Sequence, residues 1–159
     1  MKTTRFFIAS VFAATLLLNT PQAHAQKVVD AQATRLSDTV TMYTLTYEFG
    51  FLNADLWMPL LASRKATSGT VGYQSAATNS YALVLSEATI TKQNMYYVPK
   101  GERATFTLMV LEEQLGPTTR EVKRVQVTNL PHIIQREGEK QVERQLTTDE
   151  LEKFIVWNN

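Results

Sequence analysis

Apolar and polar residues alternate most strictly in two stretches of the chain. Tyr43, Leu45, Tyr47, Phe49 and Phe51 alternate with Thr44, Thr46, Glu48 and Gly50. Further on, Ala104, Phe106, Leu108 and Val110 alternate with Thr105, Thr107 and Met109. A period of two in aromatic and β-branched residues marks a strand with one buried face. Phe106 and Leu108 are therefore expected inside, and Thr105 and Thr107 outside. Val40 and Met42 precede the first strand on the opposite parity, and a bulge near Met42 would reconcile the two phases.

Weaker signals fill the intervals. Gln26 to Asp38 reads as a lead-in segment or a short edge strand. Gly69 to Gln74 reads as a short strand or turn, and Tyr81 to Ser86 has a continuous apolar centre. Ala88–Thr91 and Met95–Val98 are strand pieces around Lys92-Gln93-Asn94. Pro99-Lys100-Gly101 is a turn, because proline presets φ and glycine supplies positive φ. Gly116-Pro117 marks another. Glu121 to Thr128 is a strand with Val125 and Val127 inward, stopped by Pro131. Arg136-Glu137-Gly138-Glu139 is either a hairpin turn between Ile133-Ile134 and Gln141-Val142 or a solvated linker. Thr147 with Glu150 has the form of a capping box, and Leu151, Phe154 and Ile155 would share one face of a helix of about two turns.

Many short strands, turn chemistry between them and one small terminal helix predict a mainly β fold. The expected form is an antiparallel β-sandwich over residues 39–159, with a barrel as the alternative. The run Tyr97-Val98-Pro99-Lys100-Gly101-Glu102-Arg103-Ala104-Thr105-Phe106-Thr107-Leu108 resembles the edge-turn-strand of immunoglobulin-like modules in bacterial exported and cell-surface proteins. Pro99, Gly101, Phe106 and Leu108 carry the match. The resemblance implies an immunoglobulin-like sandwich and no catalytic residue. Such modules usually stand in tandem, whereas this chain holds one copy.

The first 25 residues read as an address. Lys2 and Arg5 precede a run of apolar and small residues from Phe6 to Leu18, and Ala23-His24-Ala25 closes the segment. That is the order of a secretory signal peptide. The run is short of the ~20 residues of a membrane span, although an uncleaved anchor is the alternative. Cleavage after Ala25 would leave a protein starting at Gln26, and no later stretch is long and apolar enough to span a bilayer. The expected location is the periplasm or the extracellular surface. The whole chain of 159 residues carries 16 Lys+Arg and 15 Asp+Glu. Loss of Lys2 and Arg5 leaves one more acid than base, which with export argues against a nucleic-acid partner.

Composition also removes chemistries. There is no cysteine, hence no disulfide, thiolate nucleophile, Cys-ligated zinc or lipid attachment. His132 is the one histidine after His24, so a histidine-rich metal site is ruled out. It is expected as a surface or half-buried loop residue. No nucleophile elbow, calcium loop or phosphate cradle is present. Glu112-Glu113 and the acids from Glu137 to Glu152 sit among basic residues and read as solvated faces. No catalytic residue, metal or cofactor is expected.

Leu52 to Leu61 stands out. It breaks the alternation, Asn53 would cap a short helical turn with Asp55 in it, and Pro59 argues against a longer helix. A connection is usually polar, yet this one holds Trp57, Met58, Leu60 and Leu61. Either it plugs one end of the core or it is a contact patch, since Trp anchors dominate interfaces. The expected function is a noncatalytic binding or structural module of the envelope or cell surface, contacting protein or a surface polymer. The alternative is a small exported hydrolase, or an inhibitor of one, using loops at the sandwich ends.

Overall fold

The computed structural model describes residues 26–65, 67–77, 79–114 and 123–158. The segment read as a signal peptide, the Gly116-Pro117 turn and the start of the strand expected from Glu121 lie outside them. In chain order the elements are β1 (Lys27–Arg35), β2 (Val40–Phe49), β3 (Ala54–Pro59), β4 (Ala62–Ser63), β5 (Val71–Ser75), β6 (Asn79–Ser86) and β7 (Thr89–Ile90). They continue with β8 (Met95–Val98), β9 (Ala104–Glu113), β10 (Lys123–Asn129), β11 (Pro131–Arg136), β12 (Val142–Gln145), α1 (Thr148–Leu151) and β13 (Ile155–Asn158).

The fold is mainly β and forms an antiparallel sandwich. A first sheet runs β1-β2-β9-β6, a second β13-β10-β5-β4 and a third β12-β11-β3-β8-β7. Every pairing is antiparallel except β4 with β5. The second and third sheets cover one face of the first. Tyr47 of β2 meets Phe154 edge-on at 5.4 Å, and Tyr96 of β8 meets Phe106 of β9 at 5.9 Å. The Tyr96 hydroxyl also donates to the Val84 carbonyl at 2.9 Å.

The two alternating stretches are β2 and β9, and they pair along their whole length, Val40 opposite Glu113 through Phe49 opposite Ala104. Tyr43, Leu45, Tyr47 and Phe49 are buried, as are Phe106, Leu108 and Val110, while Thr105 is exposed and Thr107 half-buried. The register shows no slip at Met42. The irregularity falls on the partner strand, between Val28 and Asp30, so Val40 and Met42 simply face outward. Residues 26–38 are not a bare lead-in: β1 is the edge strand of the first sheet.

Leu52–Leu61 is neither a helical turn nor a loop. It holds β3, the middle strand of the third sheet, flanked by β11 and β8. Its burial alternates, with Ala54, Leu56 and Met58 inward and Asp55 and Trp57 outward, and the apolar Trp57 on the outer face hides the period of two. Pro59 closes the strand. Leu60 and Leu61 then stitch the sheets together: Val84 N donates to Leu60 O at 3.1 Å, and Val71 N to Leu61 O at 2.9 Å.

The 136–139 segment is a hairpin turn, with Gly138 at φ 76° and β11 paired to β12. β10 ends at Asn129, just ahead of Pro131, which itself begins β11, a place where a missing N–H costs no ladder bond. The capping box is present: Thr147 Oγ1 accepts from Glu150 N, and the Glu150 carboxylate accepts from Thr147 N at 2.8 Å. The helix is one turn rather than two. Phe154 is fully buried and Val156 follows it inward, so the chain returns to a period of two and ends as β13 against β10.

Candidate functional site: an outward aromatic pair beside an open groove

Strand pairing builds the site. Trp57 on β3 lies opposite Tyr97 on β8 and Ile133 on β11. Partners in register share a face, so Glu143, Ile133, Trp57, Tyr97 and Thr89 form one transverse row on the outer face of the third sheet. Trp57 and Tyr97 are each half-buried, with ring centroids 5.2 Å apart and planes tilted by 41°. The alternate residues of the same strands, Leu56, Met58, Tyr96 and Val98, fill the core.

Polar contacts fix Tyr97. Its hydroxyl donates to Asp55 Oδ1 at 3.2 Å, and the same oxygen accepts from Lys100 N at 2.9 Å. Asp55 thereby ties the ring to the Pro99–Gly101 turn, where Gly101 has φ 83°. Desolvation pushes the Tyr97 hydroxyl's pKa up, helped by the hydrogen bond to Asp55 and the charges of Asp55 and Glu102. Lys100 pairs with Glu137 at 2.5 Å. That hydrogen bond raises the lysine and lowers the carboxyl, but both are exposed and the pair adds little stability.

Tyr97 also lines a groove of about 870 Å³, within the ~300–1,000 Å³ usual for ligand sites. One wall is the outer face of the first sheet, with Leu85, Thr105 and Thr107; the other carries Thr89 and Pro99. Glu87, Glu102 and Arg103 supply the charges. The lining offers hydroxyls, two carboxylates and one guanidinium around an aromatic ring. Such a surface can stack on a flat ligand face and hydrogen-bond its edge. Among the described residues no group of three or more His, Asp or Glu side chains could hold a metal ion.

The four residues singled out from the sequence do not form one patch. Trp57 is on the outer face. Met58 points the other way and is fully buried. Leu60 packs against the core, and Leu61 is 64% exposed at the edge of the first sheet, bridged to Leu83. A partner meeting Trp57 therefore does not touch Met58, because consecutive strand residues face opposite sides. Tyr97 was missed: only the pairing of β3 with β8 brings it to Trp57.

Two other expectations are corrected. His132 is 2% exposed, not a loop residue. It sits on β11 with Nδ1 3.3 Å from the Leu130 carbonyl, its ring edge-on to Phe49 at 4.9 Å. Glu112 is 4% exposed rather than solvated. Its carboxylate accepts from Ser75 Oγ across the sheets. The Tyr43 hydroxyl lies near Glu112 and Asn158 without a sound hydrogen bond to either. Burial, then the charge of Glu112, pushes the Tyr43 pKa up to about 12.

No protein-family model matches the chain, and no curated protein matches it.

Proposed function

We propose that this chain is an exported, noncatalytic, immunoglobulin-like binding module of the bacterial envelope or cell surface. Its contact is a surface polymer laid across Trp57 and Tyr97 and into the adjoining groove. The observation that carries the reading is the Trp57–Tyr97 pair: two rings in contact, facing outward, on a sheet whose other face is core. Aromatic residues turned outward in this way are enriched where proteins meet partners. Export rests on the basic, apolar and Ala23-His24-Ala25 sequence. The hydrolase alternative most needs His132, which is 2% exposed and lines a different concavity from the groove beside Trp57 and Tyr97.

The test is co-sedimentation of the protein with the insoluble polymer of its source's envelope, before and after protease treatment of that polymer. Retention on the protease-treated polymer is expected. Retention lost with protease would make the partner a protein, and no retention on either would overturn the reading.

A further inference from the structure

The opposite border of the third sheet holds a second concavity. A cleft of about 530 Å³ opens between β11, β12 and the capped turn before α1. Its floor is apolar, with Phe51, Ile134 and Leu146 all buried. The His132 ring lines it too, 6.0 Å from Phe51 and stacked on it. Register places Arg144 beside His132 and Arg136 beside Ala54, on the face that turns toward the core. Both guanidiniums therefore stand at the rim of one concave surface.

The cleft's lining holds more positive than negative side chains, Arg136 and Arg144 against Glu150. Among the described residues Arg144 has no salt-bridge partner. The acid nearest Arg136, Glu139, is 3.9 Å away, longer than a direct hydrogen bond. The carboxylate lining the cleft belongs to Glu150; it keeps its charge while its Oε2 accepts from Thr147 N and Oγ1 at 2.8 and 2.9 Å, so two guanidiniums face one carboxylate across the lining. Two like charges on a concave wall repel, and apolar surroundings strengthen their field. A planar guanidinium recognises carboxylate or phosphate through two parallel hydrogen bonds.

We propose that this cleft binds a small anion, a carboxylate- or phosphate-bearing ligand whose body rests on Phe51 and His132 while its charge meets Arg144 and Arg136. The site is separate from the Trp57 face, and neither proposal needs the other. Calorimetric titration of the full chain with glucuronate, inorganic phosphate and neutral glucose tests it. Glucuronate or phosphate should bind saturably, the stronger of the two naming the anion, and glucose should not. Arg144→Gln and Arg136→Gln should each weaken binding by about tenfold or more, the scale of a lost charge-assisted contact. Both residues are exposed, so the melting temperature should hold. Trp57→Ala should leave the affinity unchanged. Binding should shift the His132 ring resonance, told apart from that of His24 with a His24→Ala variant. Equal binding of glucose, no binding of either anion, wild-type affinity in Arg144→Gln or an unmoved His132 resonance would each overturn the proposal.

Discussion

Tyr47→Phe should make the protein more stable. Tyr47 is 1% exposed, and its hydroxyl finds no hydrogen-bond partner. Its ring stacks on Phe106 at 5.7 Å and meets Phe154 at 5.4 Å. Phenylalanine keeps both contacts and deletes only the oxygen. Burying a hydroxyl without a hydrogen bond costs ~1–3 kcal/mol by mutational measures. The small void left behind returns part of that as lost packing. A net gain of about 1 kcal/mol is expected, sizeable against a total stability of ~5–15 kcal/mol. Urea titrations of both proteins at neutral pH measure it, read as a shift in midpoint at unchanged slope. A loss of ~0.5 kcal/mol or more would refute the reasoning, because it would mean that the hydroxyl is satisfied in solution, for example by an ordered water.

Four further outcomes follow from the same geometry. The Tyr43 pKa, raised from 10.0 to about 12, means that the folded state holds its proton more tightly; stability should be level below pH ~10 and fall toward pH ~12, as denaturant midpoints across that range would show. Tyr47 is displaced in the same direction by burial, so Tyr47→Phe should soften the alkaline loss. Phe106→Ala, at a fully buried site between Tyr47 and Tyr96, should cost ~3–5 kcal/mol, against ~0.5–1.5 kcal/mol for Thr107→Ala, which loses a 3.0 Å bond to Thr46; equal losses in denaturant would contradict the register. Gly50→Ala would place a Cβ 2.2 Å from the Glu102 carbonyl and should cost at least the ~1–3 kcal/mol of overpacking, whereas Gly101→Ala has open space and should cost the ~1–2 kcal/mol of its left-handed backbone; thermal melts of the pair distinguish clash from strain.

What could be read from the residues depended on how polar the outward face of an element is. β2 and β9 were legible because one face meets the core and the other carries threonines. β3 was not, because only Asp55 marks its outer face as polar, and Trp57 on that face is as apolar as Leu56 and Met58 inside. The capping box was legible as a local signal, but β13 behind it is only four residues long and its apolar residues fit a helical face as well. Glu112 was misplaced although its parity with Phe106, Leu108 and Val110 pointed inward; its charge outweighed its phase, and the donor that makes burial tolerable, Ser75, lies on another sheet. The same holds for the candidate site. Trp57 stood out in sequence, but its contact with Tyr97 is a product of long-range strand pairing, and local patterns carry no register between distant strands.

The most direct test of the outward face as the contact surface uses the emission of Trp57. Trp157, 46% exposed under Arg124 at 5.4 Å, is first replaced in a Trp157→Phe chain so that Trp57 reports alone. Solubilised envelope polymer is then titrated in. A saturable blue shift or quench is predicted, lost in Trp157→Phe, Tyr97→Ala, a chain that should still unfold cooperatively although the truncation costs up to ~3–5 kcal/mol. Polymer that binds the chain while Trp57 emission stays unmoved would contradict the account.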